Sequence, residues 1–185
     1  MQNSGKKFRV TKLVEFLKMQ TSIIVMGVSG CGKTTLGQML AARLEYPFFD
    51  ADDFHSMANK EKMAAGIPLT DADRAAWLET LANLLGKHSP CVLACSALKE
   101  QYRVQLAREA NLNWVYLRGS KELIAARLQT REHFFNPRLL ASQFEILEEP
   151  KNAIVVSIEH SLETIIETVL GVLSNSVLQS GLPVE

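Results

Sequence analysis

Neither positive nor negative charge is in excess in this sequence: 20 Lys and Arg stand against 20 Asp and Glu, a formal net charge of +0. No overall field recruits nucleic acid or an anionic membrane, although a local patch is still allowed. Cysteine is scarce, with three in 185 residues and no CxxC pair. Cys91 and Cys95 lie four apart in a predicted strand, too far for a disulfide or a shared zinc. Reduced, buried thiols in a cytoplasmic protein are expected. Residues 1–20 carry Lys6, Lys7, Arg9, Lys12 and Lys18 but no uninterrupted apolar stretch and no small-residue cleavage site. That argues against a secretory signal or a membrane span. Internal repeats and low-complexity tracts are absent as well.

What is there is an ordinary globular composition, 47% hydrophobic and 22% charged, which at this length suits one domain with a sizeable core. Residues 1–20 read as an N-terminal extension, with Val10, Leu13, Val14 and Leu17 on one face of a short helix and Met19 as an alternative start. The domain is expected over 21–174, and 175–185 as a C-terminal tail.

The most informative stretch is Gly27-Val28-Ser29-Gly30-Cys31-Gly32-Lys33-Thr34-Thr35, behind the apolar run Ile23-Ile24-Val25-Met26. This spacing turns successive backbone N–H groups onto the α- and β-phosphates of a nucleotide. Gly27, Gly30 and Gly32 permit the turn, Lys33 neutralises the β- and γ-phosphates, and Thr34 offers its hydroxyl to magnesium. Leu36, Leu40 and Leu44 then recur every four residues, so a helix N-terminus points at the phosphates. Cys31 lies inside the loop, where its oxidation would block nucleotide binding; an inert spacer is the plainer expectation. The loop specifies a nucleotide, not a reaction, since GTPases, motors and small-metabolite kinases all use it.

Along the chain, apolar strands alternate with helices. Strands are expected at Tyr46–Phe49, Cys91–Cys95, Asn113–Leu117 and Ala153–Ile158, with helices at Met57–Ala65, after Thr70-Asp71-Ala72-Asp73, around Tyr102, Leu106 and Ala110, at Glu122–Thr130 and at Leu162–Leu173. Such alternation predicts an α/β fold, a mostly parallel sheet with helices on both faces, whose ligands bind beyond the carboxyl ends of the strands.

The strand ending at Cys95-Ser96-Ala97 lacks the metal-orienting carboxylate of a motor-type ATPase. The carboxylates follow the second strand, as Asp50, Asp52 and Asp53. Asp50 is read as a magnesium partner and Asp52 as the base on an attacking hydroxyl. One of the three is expected merely to cap a turn, Asp53 first. His55 is placed on a substrate oxygen. Lys99 and Arg103, four apart, suit an anionic acceptor, though the same spacing describes a solvated helix face; Arg74 and Arg108 are weaker choices. Arg127 and Arg131 flank a segment, about 127–137, suited to a lid that excludes water.

These segments resemble the gluconate kinases of the small P-loop type, relatives of shikimate and adenylate kinases. The likeness is carried by 26–34, by Asp-Ala-Asp-Asp-Phe-His at 50–55, by 62–78, by Cys-Ser-Ala-Leu-Lys at 95–99 with Tyr102-Arg103, by His133-Phe134-Phe135, and by Gln143 to Pro150. The resemblance implies a three-layer fold with a five-stranded parallel sheet and a small lid. It implies phosphorylation of D-gluconate at its 6-hydroxyl by ATP with Mg2+, and a homodimer. Two alternatives stay open: a kinase of another small hydroxy acid such as shikimate, and a nucleotide-dependent regulator without turnover.

Overall fold

The computed structural model describes residues 21–129 and 137–179. Its centre is β1 (Ser22–Met26), five residues that are all buried. A strand apolar on both faces needs cover on both sides. Ile23 and Val25 face a core that holds Leu36, Leu40 and Leu44 of α1 (Lys33–Leu44) and Ile165, Ile166 and Val169 of α7 (Leu162–Gln179). Ile24 and Met26 face the opposite core, with Trp77, Leu81 and Leu85 of α3 (Asp71–Lys87) and Tyr102 and Leu106 of α4 (Glu100–Leu106). The two-residue alternation of a strand thus divides one run into two cores, and three layers follow.

Four further strands, β2 (Phe48–Asp50), β3 (Val92–Ala94), β4 (Leu112–Arg118) and β5 (Ile154–Ser157), complete the sheet in the order β2-β3-β1-β4-β5. Every neighbouring pair is parallel, with Ile24 opposite Leu93 on one side and Trp114 on the other. This is the five-stranded parallel sheet expected. Parallel pairing requires crossovers, supplied here by helices that also include α2 (Met57–Ala64), α5 (Lys121–Gln129) and α6 (Pro137–Ile146). The carboxyl ends of β1, β2 and β3 deliver the phosphate loop, the Asp50–His55 turn and Ser96–Lys99 to one edge.

Local chemistry sets several boundaries. The Thr70 hydroxyl accepts from the Asp73 N–H at 3.2 Å while the Asp73 carboxylate accepts from the Thr70 N–H at 2.9 Å, the reciprocal cap that starts α3. α6 starts on Pro137, whose missing N–H costs nothing at a first helical position. Strand ends shift by a residue or two from expectation, β2 running on to Asp50, and two helix ends differ by more. α4 ends at Leu106, short of Ala110. α7 continues to Gln179, beyond Leu173 and into the segment expected to be a tail. The Ser174 hydroxyl donates to the Leu170 carbonyl at 2.6 Å, so this polar residue is satisfied inside the helix instead of ending it.

Candidate active site

The phosphate loop joins β1 to α1. Gly27 has φ +141°, and a Cβ there would lie 2.8 Å from the Leu117 carbonyl oxygen, so this turn admits no side chain. Gly32, at φ +104°, precedes the first turn of α1; a Cβ built on it meets nothing within 4 Å. That space lies before a helix N-terminus whose N–H groups have no intrahelical partners, a suitable seat for phosphate. Val28 and Cys31 turn inward and are buried in the main core. Burial pushes the Cys31 thiol up, against the pull of Lys33, so it is held in its unreactive protonated form. Burial and the raised thiol both favour the inert spacer over a redox-sensitive one.

Lys33 Nζ donates to the Val28 carbonyl at 3.1 Å. The Thr34 hydroxyl donates to Asp50 Oδ2 at 2.7 Å, which brings together the two residues read as metal partners. A hydroxyl and a carboxylate are hard oxygen donors, and magnesium commonly takes only one or two protein oxygens while keeping its waters. The pair fits that ion. Among the described residues no group of three or more His, Cys, Asp or Glu gathers into a denser metal site.

Asp50 has a second task. Its Oδ1 accepts from the Asp52 N–H at 3.1 Å, capping the 3-10 turn Ala51–Phe54. The capping carboxylate is therefore Asp50 and not Asp53. Asp52 itself is exposed beside this anchor. His55 ends the turn at 8% exposure, its ring stacked on Trp77 at 4.3 Å and 10°. Trp77 Nε1 donates to the Ala51 carbonyl at 2.8 Å, so one indole fixes both ends of the turn. His55 Nδ1 is buried with no hydrogen-bond partner. An orphaned buried nitrogen costs free energy unless a ligand satisfies it, which supports the placement of His55 on substrate.

Burial lowers the His55 pKa below its ordinary 6.5, Asp52 opposing and Arg74 and Lys60 assisting. The unfolded chain then binds this proton more readily than the folded one. Stability from this group is complete above about pH 6.5 and lost as the pH falls toward the depressed folded value. The melting temperature is expected to drop between about pH 7.5 and 5.5, with a shallower drop in His55→Gln. An equal slope in that variant would assign the loss to other groups.

The cations are arranged differently from the sequence expectation of two on one helix face. Lys99 is the residue before α4, not part of it. Its Nζ lies 2.8 Å from both Asp71 carboxylate oxygens. Lys99, and after it the Tyr102 hydroxyl, hold the Asp71 carboxyl down at about 2. Arg74 lies over the Tyr102 ring at 5.7 Å and donates to the Leu69 carbonyl. Lys99, Arg74, Tyr102 and Asp71 thus form one cluster beside the Asp50–His55 turn.

Arg103 is 4% exposed, which overturns the solvated-face reading. Its Nε and Nη2 donate to Glu100 Oε2 at 2.9 and 2.6 Å, and its Nη1 to the Ala97 and Leu98 carbonyls at 2.9 and 3.2 Å. The guanidinium holds the chain leaving β3 against the start of α4. Arg103→Ala is expected to cost about 2–3 kcal/mol in denaturant unfolding, the scale of lost hydrogen bonds to a charged group. An unchanged midpoint with a raised acceptor KM would instead put the guanidinium on the substrate. Arg108 pairs with Glu79 on the surface at 2.8 Å, away from these groups.

A cavity of about 240 Å³ opens on the other side of the loop, lined by Gly32, Thr35, Arg127, His160 and Leu162 among others. Arg127 Nη2 donates to the Ile158 carbonyl at 2.6 Å. Arg131, His133, Phe134, Phe135 and most of the expected lid lie outside the described residues.

Gln143 of α6 has no site role in the sequence reading, where it only opens the stretch Gln143 to Pro150, yet it touches the loop. Its Oε1 accepts from the Ser29 N–H at 2.7 Å and its Nε2 donates to the Ser29 hydroxyl at 2.9 Å. The two residues are 114 positions apart, so no local spacing signals the contact.

The family described as shikimate kinase matches residues 29–168. The chain is 44% identical to a probable gluconokinase of Dictyostelium discoideum, across 92% of this chain and 95% of that protein. It is 42% identical to a gluconokinase of Arabidopsis thaliana, across 84% and 93% respectively. A solved gluconokinase structure from Sinorhizobium meliloti 1021 superimposes with a TM-score of 0.82 at 38% identity, covering 88% of this chain and 97% of that one. With the phosphate loop and the acidic turn at one sheet edge, and likeness on this scale over nearly the whole of both partners, this chain belongs to the gluconokinases within the shikimate kinase family.

Proposed function

We propose that the protein transfers the γ-phosphoryl group of ATP to the 6-hydroxyl of D-gluconate. The observation that carries this reading, beside the family, is the convergence at one sheet edge of Lys33, the Thr34–Asp50 pair and the Asp52–His55 turn. The triphosphate lies over 27–34, with Lys33 on its β- and γ-phosphates, and the nucleoside enters the cavity beside Arg127. Thr34 and Asp50 would hold Mg2+, which supplies charge neutralisation to the phosphates.

On the acceptor side, Asp52 takes the proton of the gluconate hydroxyl as its oxygen attacks. The new O–Pγ bond forms in line as the bond from Pγ to the bridging oxygen breaks, and ADP leaves with that electron pair. His55 Nδ1 bonds a substrate oxygen, and Arg74 and Lys99 attract the carboxylate. Lys99 does so while paired to Asp71, whose charge keeps the ammonium in place. Arg103 acts on this cluster from behind. Arg127, with Arg131, adds positive charge near the leaving phosphates.

A homodimer and a cytoplasmic setting belong to the same proposal. The free, buried cysteines support the cytoplasmic setting, and the homodimer rests on the family resemblance alone. Phosphorus and carbon NMR of the product tests the chemistry. One phosphate ester on carbon 6 is expected; an ester elsewhere, or inorganic phosphate alone, would contradict it.

A further inference from the structure

We infer that Gln143 is a positioning residue for phosphoryl transfer, acting through the peptide group between Val28 and Ser29. That peptide is gripped on both sides. Its carbonyl oxygen accepts from Lys33 Nζ at 3.1 Å and from the Cys31 N–H at 3.3 Å. Its N–H, on the Ser29 side, donates to Gln143 Oε1 at 2.7 Å. Because a peptide group is planar, holding the N–H fixes where the carbonyl points. Gln143 therefore sets the perch on which the Lys33 ammonium rests.

The match is chemically specific. A carboxamide offers an acceptor and a donor side by side, and Ser29 presents a donor in its N–H and an acceptor in its hydroxyl, bonded at 2.7 and 2.9 Å. Turned over, the amide would set its NH2 against the Ser29 N–H. The support is firm as well: Leu140, one turn earlier on α6, is 3% exposed, and Phe144 packs on the same core. Without this clamp, the flanking Gly30, at φ +85°, leaves the peptide freer to rotate.

The inference rests on the proposed kinase reading. The test compares Gln143→Ala, Ser29→Ala and Lys33→Met, singly and with Gln143→Ala combined with Lys33→Met, by steady-state kinetics and thermal melting. Gln143→Ala is expected to lower kcat about 10- to 100-fold, the scale of a misplaced group, with the gluconate KM and melting temperature nearly unchanged. Ser29→Ala, which keeps the N–H, is expected to be mild. Adding Gln143→Ala to Lys33→Met should cost little more, because the residue acts through that lysine. Wild-type kcat in Gln143→Ala, or losses that multiply in the combined variant, would overturn the inference. An absence of gluconate turnover in the wild-type enzyme would instead sink the acceptor assignment.

Discussion

Asp52→Asn is expected to lower kcat about 10²- to 10⁴-fold, the usual worth of a positioned general base, while ATP affinity stays close to wild type. Asparagine keeps the size of the side chain and cannot take the proton. The backbone of the turn should survive the change. Its anchors are the Asp50 carboxylate on the Asp52 N–H at 3.1 Å and the Trp77 indole on the Ala51 carbonyl at 2.8 Å, and neither uses the Asp52 side chain. A parallel loss of kcat and of ATP affinity, read by steady-state kinetics and nucleotide titration, would move Asp52 to the metal instead.

Lys33→Met is expected to lower kcat/KM about 10²- to 10³-fold, the cost of removing one preorganised donor from developing charge. The methionine stem still packs where the lysine stem did, so melting should shift little. The recorded partner of Nζ is the Val28 carbonyl and not a carboxylate. Its charge is therefore available to the phosphates, whereas the Lys99 charge is shared with Asp71. The loss should fall on ATP affinity as well as kcat, which sets Lys33 apart from Asp52. A variant with normal ATP affinity and turnover would remove Lys33 from the chemistry.

Much of this site was legible in the sequence because its determinants are local. The glycine spacing of 27–32, the leucines of α1 and the Thr70–Asp73 cap each declare themselves within a few residues, and the structure agrees with all three. That Thr34 and Asp50 share one edge is legible too, since the loops after parallel strands open on the same side; their direct hydrogen bond at 2.7 Å is seen only in the structure. What was not legible depends on direction and distance. Arg103 turns back toward the Ala97 and Leu98 carbonyls and is buried, which a spacing of four from Lys99 does not reveal. Asp50 caps the turn because β2 extends to it, one residue beyond the apolar run. Gln143 is placed by the packing of α6, and its hydrogen bonds cross 114 positions.

The central claim is that this edge joins ATP to one acceptor, gluconate. It is tested most directly by ADP release from the purified protein at fixed ATP and magnesium, across gluconate, shikimate, other sugar acids and nucleoside monophosphates. A site that pairs its buried polar groups with one hydroxyl pattern rejects others that leave them unpaired. Saturable turnover selective for gluconate is the predicted result. A flat panel from folded protein that still binds ATP would contradict it.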